Sequence, residues 1–98
     1  MLREIAPGQA ALSGPLDMAS CAELARPLAQ LAAKGPLRLD LAAVDAADSA
    51  ALALLLEAKR AADRAGHRLS LCGMPAGLRS LQALYSMTDL LPAGDENA

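Results

Sequence analysis

The sequence predicts one small α/β domain, a mixed sheet of about four strands with helices packed against it. Three observations carry this. Residues Leu37-Arg38-Leu39-Asp40-Leu41 alternate apolar with polar, the period of a half-buried strand, and Leu69 and Leu71 repeat the pattern. Between them, Ser49 to Ala65 has the period of an amphipathic helix. The elements then alternate as strands, helix, strand, helix, strand, helix, which favours parallel neighbours and covering helices. A chain of 98 residues holds one such domain.

At the start, Leu2 to Ile5 and Gln9 to Leu12 read as strands around a Pro7-Gly8 turn. Ser13-Gly14-Pro15 reads as the next turn. Ser20-Cys21-Ala22-Glu23 has the spacing of a capping box and predicts a helix from Ser20 to about Ala33, closed by Lys34-Gly35. Leu24, Leu28 and Leu31 define its buried stripe. Pro27 lies inside that helix and removes one of its hydrogen bonds. After the strand at Leu37–Leu41, a short acidic loop carries Asp45 and Asp48 into the central helix, which Gly66 ends in a left-handed conformation. A strand over His67–Cys72 follows. Gly73-Met74-Pro75 then turns the chain, with Pro75 suited to the first helical position. Leu78, Leu81 and Leu84-Tyr85 mark a last amphipathic helix. Residues 1–92 are expected to form the domain, and the polar residues 93–98 a disordered tail.

Composition narrows the function. The apolar share of 54% comes mainly from Ala and Leu, strong helix formers, and Tyr85 is the single aromatic residue. A formal net charge of −2 argues against nucleic acid, which needs clustered cations, and the aromatic platform for single strands is missing. The longest apolar run, Ala50–Leu56, is about a third of what a membrane span requires, so no direct membrane insertion is expected. No secretory signal is evident at the N-terminus, and Cys21 and Cys72 fit no metal spacing. Two free thiols suit a reducing cytosol.

On the central helix, at about 100° per residue, Ala51, Leu55, Ala58, Ala62 and Ala65 share one arc, the sheet-facing side. Glu57, Arg60 and Arg64 face water. Leu52 and Leu56 fall on the flank between. They are either covered by a neighbouring helix or form an apolar rim for a protein partner, where a buried leucine contributes roughly 1.5–3 kcal/mol.

Just before this helix, Leu39-Asp40-Leu41-Ala42-Ala43-Val44-Asp45-Ala46-Ala47-Asp48-Ser49-Ala50-Ala51-Leu52 resembles the STAS family. Its pattern is a strand, a loop of this length and Asp-Ser/Thr-(small)-Gly-Leu opening a helix. Asp48, Ser49, Ala50, Ala51 and Leu52 match it here, with Ala51 standing where Gly is usual. Gly14-Pro15-Leu16-Asp17 is similar to the family's Gly-x-Leu-Asp turn, and Gly66 through Gly73 to its next strand. The resemblance implies a non-enzymatic protein-interaction module without cofactor or metal. Its partner-binding surface would include Asp48, Ser49, Ala50, Leu52, Ala53, Leu56 and Arg60. In the family's anti-sigma factor antagonists, the hydroxyl residue corresponding to Ser49 is phosphorylated by a partner kinase. Nearly two added negative charges beside Asp45 and Asp48 would repel an acidic or apolar surface. The plainer reading of Ser49 is a helix N-cap. A methyl group at Ala51 would obstruct close approach by a partner backbone.

Two branches of the family compete. Ser49-Ala50-Ala51-Leu52-Ala53-Leu54-Leu55-Leu56 looks like the helix opening of the small STAS subunit of Mla-type phospholipid-transport ABC complexes. Leu81-Gln82-Ala83-Leu84-Tyr85, running on to Leu91-Pro92, is similar to that subunit's ending, and the chain stops soon afterwards. The branch implies a cytoplasmic protein bound to an ABC ATPase subunit, peripheral at the inner membrane through that partner. The alternative is an anti-sigma factor antagonist whose partner is an anti-sigma factor kinase. An enzyme is the weaker reading. His67 is the sole histidine, with nothing placing Ser49 or Cys72 beside it, and two carboxylates, Asp45 and Asp48, are too few for a metal. Gly73-Met74-Pro75-Ala76-Gly77 lacks the lysine and spacing of a phosphate loop.

Overall fold

The computed structural model describes residues 1–84, and side chains within 1–80. Seven elements follow in order: β1 (Leu2–Ala6), β2 (Gln9–Leu16), α1 (Met18–Lys34), β3 (Leu37–Ala47), α2 (Ser49–Ala65), β4 (Leu69–Cys72) and α3 (Ala76–Leu84). The sheet runs β1-β2-β3-β4. β1 and β2 form an antiparallel hairpin, while β2–β3 and β3–β4 are parallel. The expected four-stranded mixed sheet is what the chain builds. Both parallel crossovers step the same way across the sheet, so the right-handed rule sets α1 and α2 on one face. There they pack against each other, and α3 packs beside α2.

The core lies between those helices and the sheet. Ala10, Leu12 and Leu16 of β2 and Leu37, Leu39 and Leu41 of β3 meet Leu28 and Ala32 of α1. From α2 come Ala51, Leu55, Ala58 and Ala62, four of the five residues expected on its sheet side; Ala65, at the last turn, is exposed.

Four local expectations are corrected. Helix α1 starts at Met18, and its cap is Asp17. The Asp17 carboxylate accepts from the Ser20 amide at 2.9 Å, and the Ser20 hydroxyl accepts from the Asp17 amide at 3.0 Å. Ser20 is therefore the returning arm of a capping box that begins three residues earlier. Pro27 lies inside α1, where the sequence placed it. It sits on the solvent side, where the carbonyl of Glu23 that loses its usual donor can bond water.

Ser13-Gly14-Pro15 is not a turn but the second half of β2, and residues 42–47 are strand rather than loop. Two bulges reconcile them. Between Ala11 and Ser13, and again between Gly14 and Pro15, β3 gains one residue over β2. A bulge accepts a proline and a glycine at positive φ (Gly14, +78°) that a regular ladder would reject. The first bulge also shifts the inward positions of β3 from the odd numbers 37, 39 and 41 to Val44. Finally, Pro75 precedes α3, its carbonyl accepting from the Arg79 amide at 2.9 Å. Leu78 is buried there as expected; Tyr85 and the stretch 93–98 lie outside the described residues.

Candidate functional site

Parallel strands β2 and β3 end side by side, and each passes at once into a helix. Leu16 is in register with Ala47, and the Asp48 amide donates to the Leu16 carbonyl at 3.3 Å. The first turns of α1 and α2 are thereby neighbours, each opened by an aspartate. Asp48 is the N-cap of α2, its Oδ1 accepting from the Ala50 amide at 2.8 Å while its carbonyl accepts from Ala51. A depression of about 200 Å³ lies between the two caps, lined by Pro15, Leu16, Asp17, Ala46, Ala47 and Asp48.

Because Asp48 caps the helix, Ser49 does not. It is the first helical residue, exposed, and its hydroxyl has no hydrogen-bond partner among the described residues. The expectation of Ser49 as an N-cap is thus replaced by a hydroxyl that the fold leaves free. Asp45, the extra residue of the second bulge, is exposed one turn of chain away.

The other expected contact residues divide by burial. Ser49, Ala53, Leu56 and Arg60 follow at spacings of four, three and four, within one narrow arc of the helix. Ala53 and Arg60 are exposed and Leu56 half-buried, so they form one outward stripe with Ser49. Arg60 is held along it by Glu57 at 2.9 Å. Ala50 is half-buried beside the cap.

Leu52 leaves the set. It is 2% exposed and part of the core. It lies on the flank of α2 away from the groove that Ala61 and Ala65 line with α1, and it is covered there rather than presented. Ala51 is fully buried as well, so its methyl group fills the core and does not obstruct a partner.

Two side chains belong here that sequence reasoning passed over. Met18, 78% exposed, stands beside Asp17 at the start of α1. An apolar residue directly after a capping aspartate is the signal that would have found it. Beneath both caps lies Cys21, whose thiol pKa is raised first by burial and then by the charges of Asp48 and Asp17. Asp17 itself is held below the ordinary carboxylate value by the amide and then the hydroxyl of Ser20.

His67 follows the far end of α2, and the helix separates it from Ser49 by about 25 Å. Among the described residues no cluster of three or more His, Cys, Asp or Glu is placed to hold a metal ion. No described helix is long and apolar enough to cross a membrane.

A mixed four-stranded sheet with helices on one face and an outward stripe opening its central helix defines an interaction module of the STAS type. The chain matches the family model described as "Mlab, STAS domain" over residues 4–92, and it belongs to that family. No curated protein matches it. Among solved structures it is similar to the anti-sigma factor antagonist SpoIIAA in its unphosphorylated form. The TM-score is 0.73 at 15% identity, over 99% of this chain and 89% of that one, a likeness of fold alone.

Proposed function

We propose that this chain is a non-enzymatic, cytoplasmic subunit that binds and stabilises the ATPase of an Mla-type phospholipid-transport ABC complex. On this reading it is held at the inner membrane only through that partner. The observation that carries the proposal is the outward stripe of Ser49, Ala53, Leu56 and Arg60 in a chain of the Mlab STAS family. Small residues at its upper end admit close approach, Leu56 supplies apolar area, and Arg60 offers a planar donor at the rim. Asp48 and the half-buried Ala50 complete the contact at the helix start.

Tagged chain purified from its own cells tests this. Recovery of an ABC ATPase and permease in stoichiometric amount is expected. Recovery of a histidine-kinase-like ATPase without them would favour the alternative, an anti-sigma factor antagonist switched by phosphorylation at Ser49. One observation supports that alternative: the Ser49 residue is exposed, and its hydroxyl has no hydrogen-bond partner among the described residues, which suits a kinase substrate. A phosphate there would face the carboxylates of Asp45 and Asp48, because Asp48 already occupies the Ala50 amide.

A further inference from the structure

The first strand, β1, is one edge of the sheet, and its register fixes which backbone groups face outward. Met1 and Ser13 exchange two hydrogen bonds: the Ser13 amide donates to the Met1 carbonyl at 2.9 Å, and the Met1 nitrogen to the Ser13 carbonyl at 2.6 Å. Hydrogen-bonded pairs alternate along an antiparallel ladder, so the next is Arg3 with Ala11. The N–H and C=O of Leu2 and Glu4 therefore point away from β2, toward the open edge. A bulge between Glu4 and Ala6 ends the regular edge there.

The same two residues line a groove. Leu2 and Glu4 pair with the buried Leu12 and Ala10, so their side chains stand on the helix side of the sheet. Leu2 is only half-buried and Glu4 exposed, so α1 covers this margin incompletely. Two depressions of about 520 and 510 Å³ share Glu4 with Leu31 and Lys34 of α1, forming one groove between β1 and the helix. Leu2 and Pro27 add apolar lining to the first. Unpaired backbone groups beside such a groove suit an added strand: the main chain holds it, and alternate side chains enter the groove.

Charge selects the occupant. Arg3 pairs with Ala11 and so projects from the opposite face of the sheet. Among the described residues Arg3, Glu4 and Lys34 form no ion pair. A second copy added antiparallel through both Leu2 and Glu4 sets Arg3 against Arg3 or Glu4 against Glu4. Like charges directly opposite are destabilising, so the edge disfavours its own copy. A different segment avoids that conflict when an acidic residue stands opposite Arg3.

We propose that the β1 edge receives an extended segment of a partner protein as an added antiparallel strand. An aliphatic side chain opposite Leu2 enters the groove beside Leu31, and an acidic one meets Arg3 on the other face. This surface shares no residue with the outward stripe of α2.

The test is amide hydrogen exchange of the full chain, read by NMR, with the capped peptide Thr-Gln-Asp-Val-Thr and a counterpart carrying Lys for Asp. In the antiparallel register Gln, Asp and Val stand opposite Glu4, Arg3 and Leu2. The Asp peptide should give saturable protection at the Leu2 and Glu4 amides and no change at Arg3, whose amide already bonds β2. The Lys peptide should bind about tenfold more weakly, as should the Asp peptide to Arg3→Glu, while Arg64→Gln on α2 leaves binding unchanged. Circular dichroism confirms that each variant is folded. Absence of protection, or equal binding of the two peptides, overturns the proposal. So does protection of Leu2 and Glu4 in the chain alone: concentration-dependent, it assigns the edge to a second copy, and concentration-independent, to another segment of the same chain.

Discussion

A Cβ added to Gly73 would stand 2.6 Å from Oδ1 of Asp40, the same oxygen that accepts the Ala42 amide at 2.9 Å. The turn after β4 is therefore packed directly onto the residue that fastens the first bulge of β3. That bulge brings Val44 inward and sets the course by which β3 delivers Asp48 and Ser49 to the surface. Gly73 also has φ of +66°, where a side chain is strained whatever space surrounds it. Gly73→Ala is expected to destabilise by about 2–3 kcal/mol, from left-handed strain plus the forced shift of Asp40 and Ala42. Thermal unfolding followed by circular dichroism should show a midpoint lower by roughly 10–20 °C for a domain of this size. Adding Asp40→Ala recovers only part of that loss, since the Ala42 backbone and methyl group remain in the way.

The two flank leucines of α2 should separate experimentally. Leu52→Ala removes a core side chain and should cost about 2–5 kcal/mol, with a fall in thermal midpoint to match. Leu56→Glu places a charge on the outward stripe. It should reduce partner capture far more than it lowers the midpoint. A Leu56→Glu chain that unfolds at growth temperature would return this leucine to the core.

Ser49→Asp adds charge where the fold leaves a free hydroxyl, so the far-ultraviolet spectrum should match the parent. Partner binding should weaken by roughly tenfold or more, read by titration calorimetry, because a carboxylate joins those of Asp45 and Asp48. Equal affinity in the variant would remove Ser49 from the contact.

Asp17 makes stability depend on pH in a definite direction. Its folded pKa lies below the ordinary value of 3.8 because the Ser20 amide and hydroxyl favour the carboxylate. Such a group contributes stability that is fully present above the unfolded pKa and disappears as pH falls through the lower, folded one. Urea unfolding at neutral pH should therefore distinguish Asp17→Ala from the parent. As the pH is lowered below about 4, the two curves should draw together.

Much of this protein was legible residue by residue. The central helix runs from Ser49 to Ala65 and stops at Gly66, whose φ of 76° is the left-handed cap that glycine favours. Alternation at Leu37–Leu41 and Leu69–Cys72 specified strands, since a period of two needs only one buried face. The Asp48-Ser49 helix start was visible because capping is chemistry between near neighbours. What misled was also local. Gly14-Pro15 has the composition of a turn, and only the longer partner strand β3, with its two extra residues, makes it a bulge.

Sequence by itself determined the elements, their order and the polar helix start, because each depends on contacts within a few residues. Tertiary structure alone decided which leucine is outside. Leu52 and Leu56 differ little in angle on an isolated helix, yet in the folded chain the first is buried and the second half-exposed. It also placed Gly8, Arg38, Arg68 and Ser70 around one cleft, which they line because β3 lies in parallel register between β2 and β4. Burial and convergence are properties of distant segments, and no local pattern encodes them.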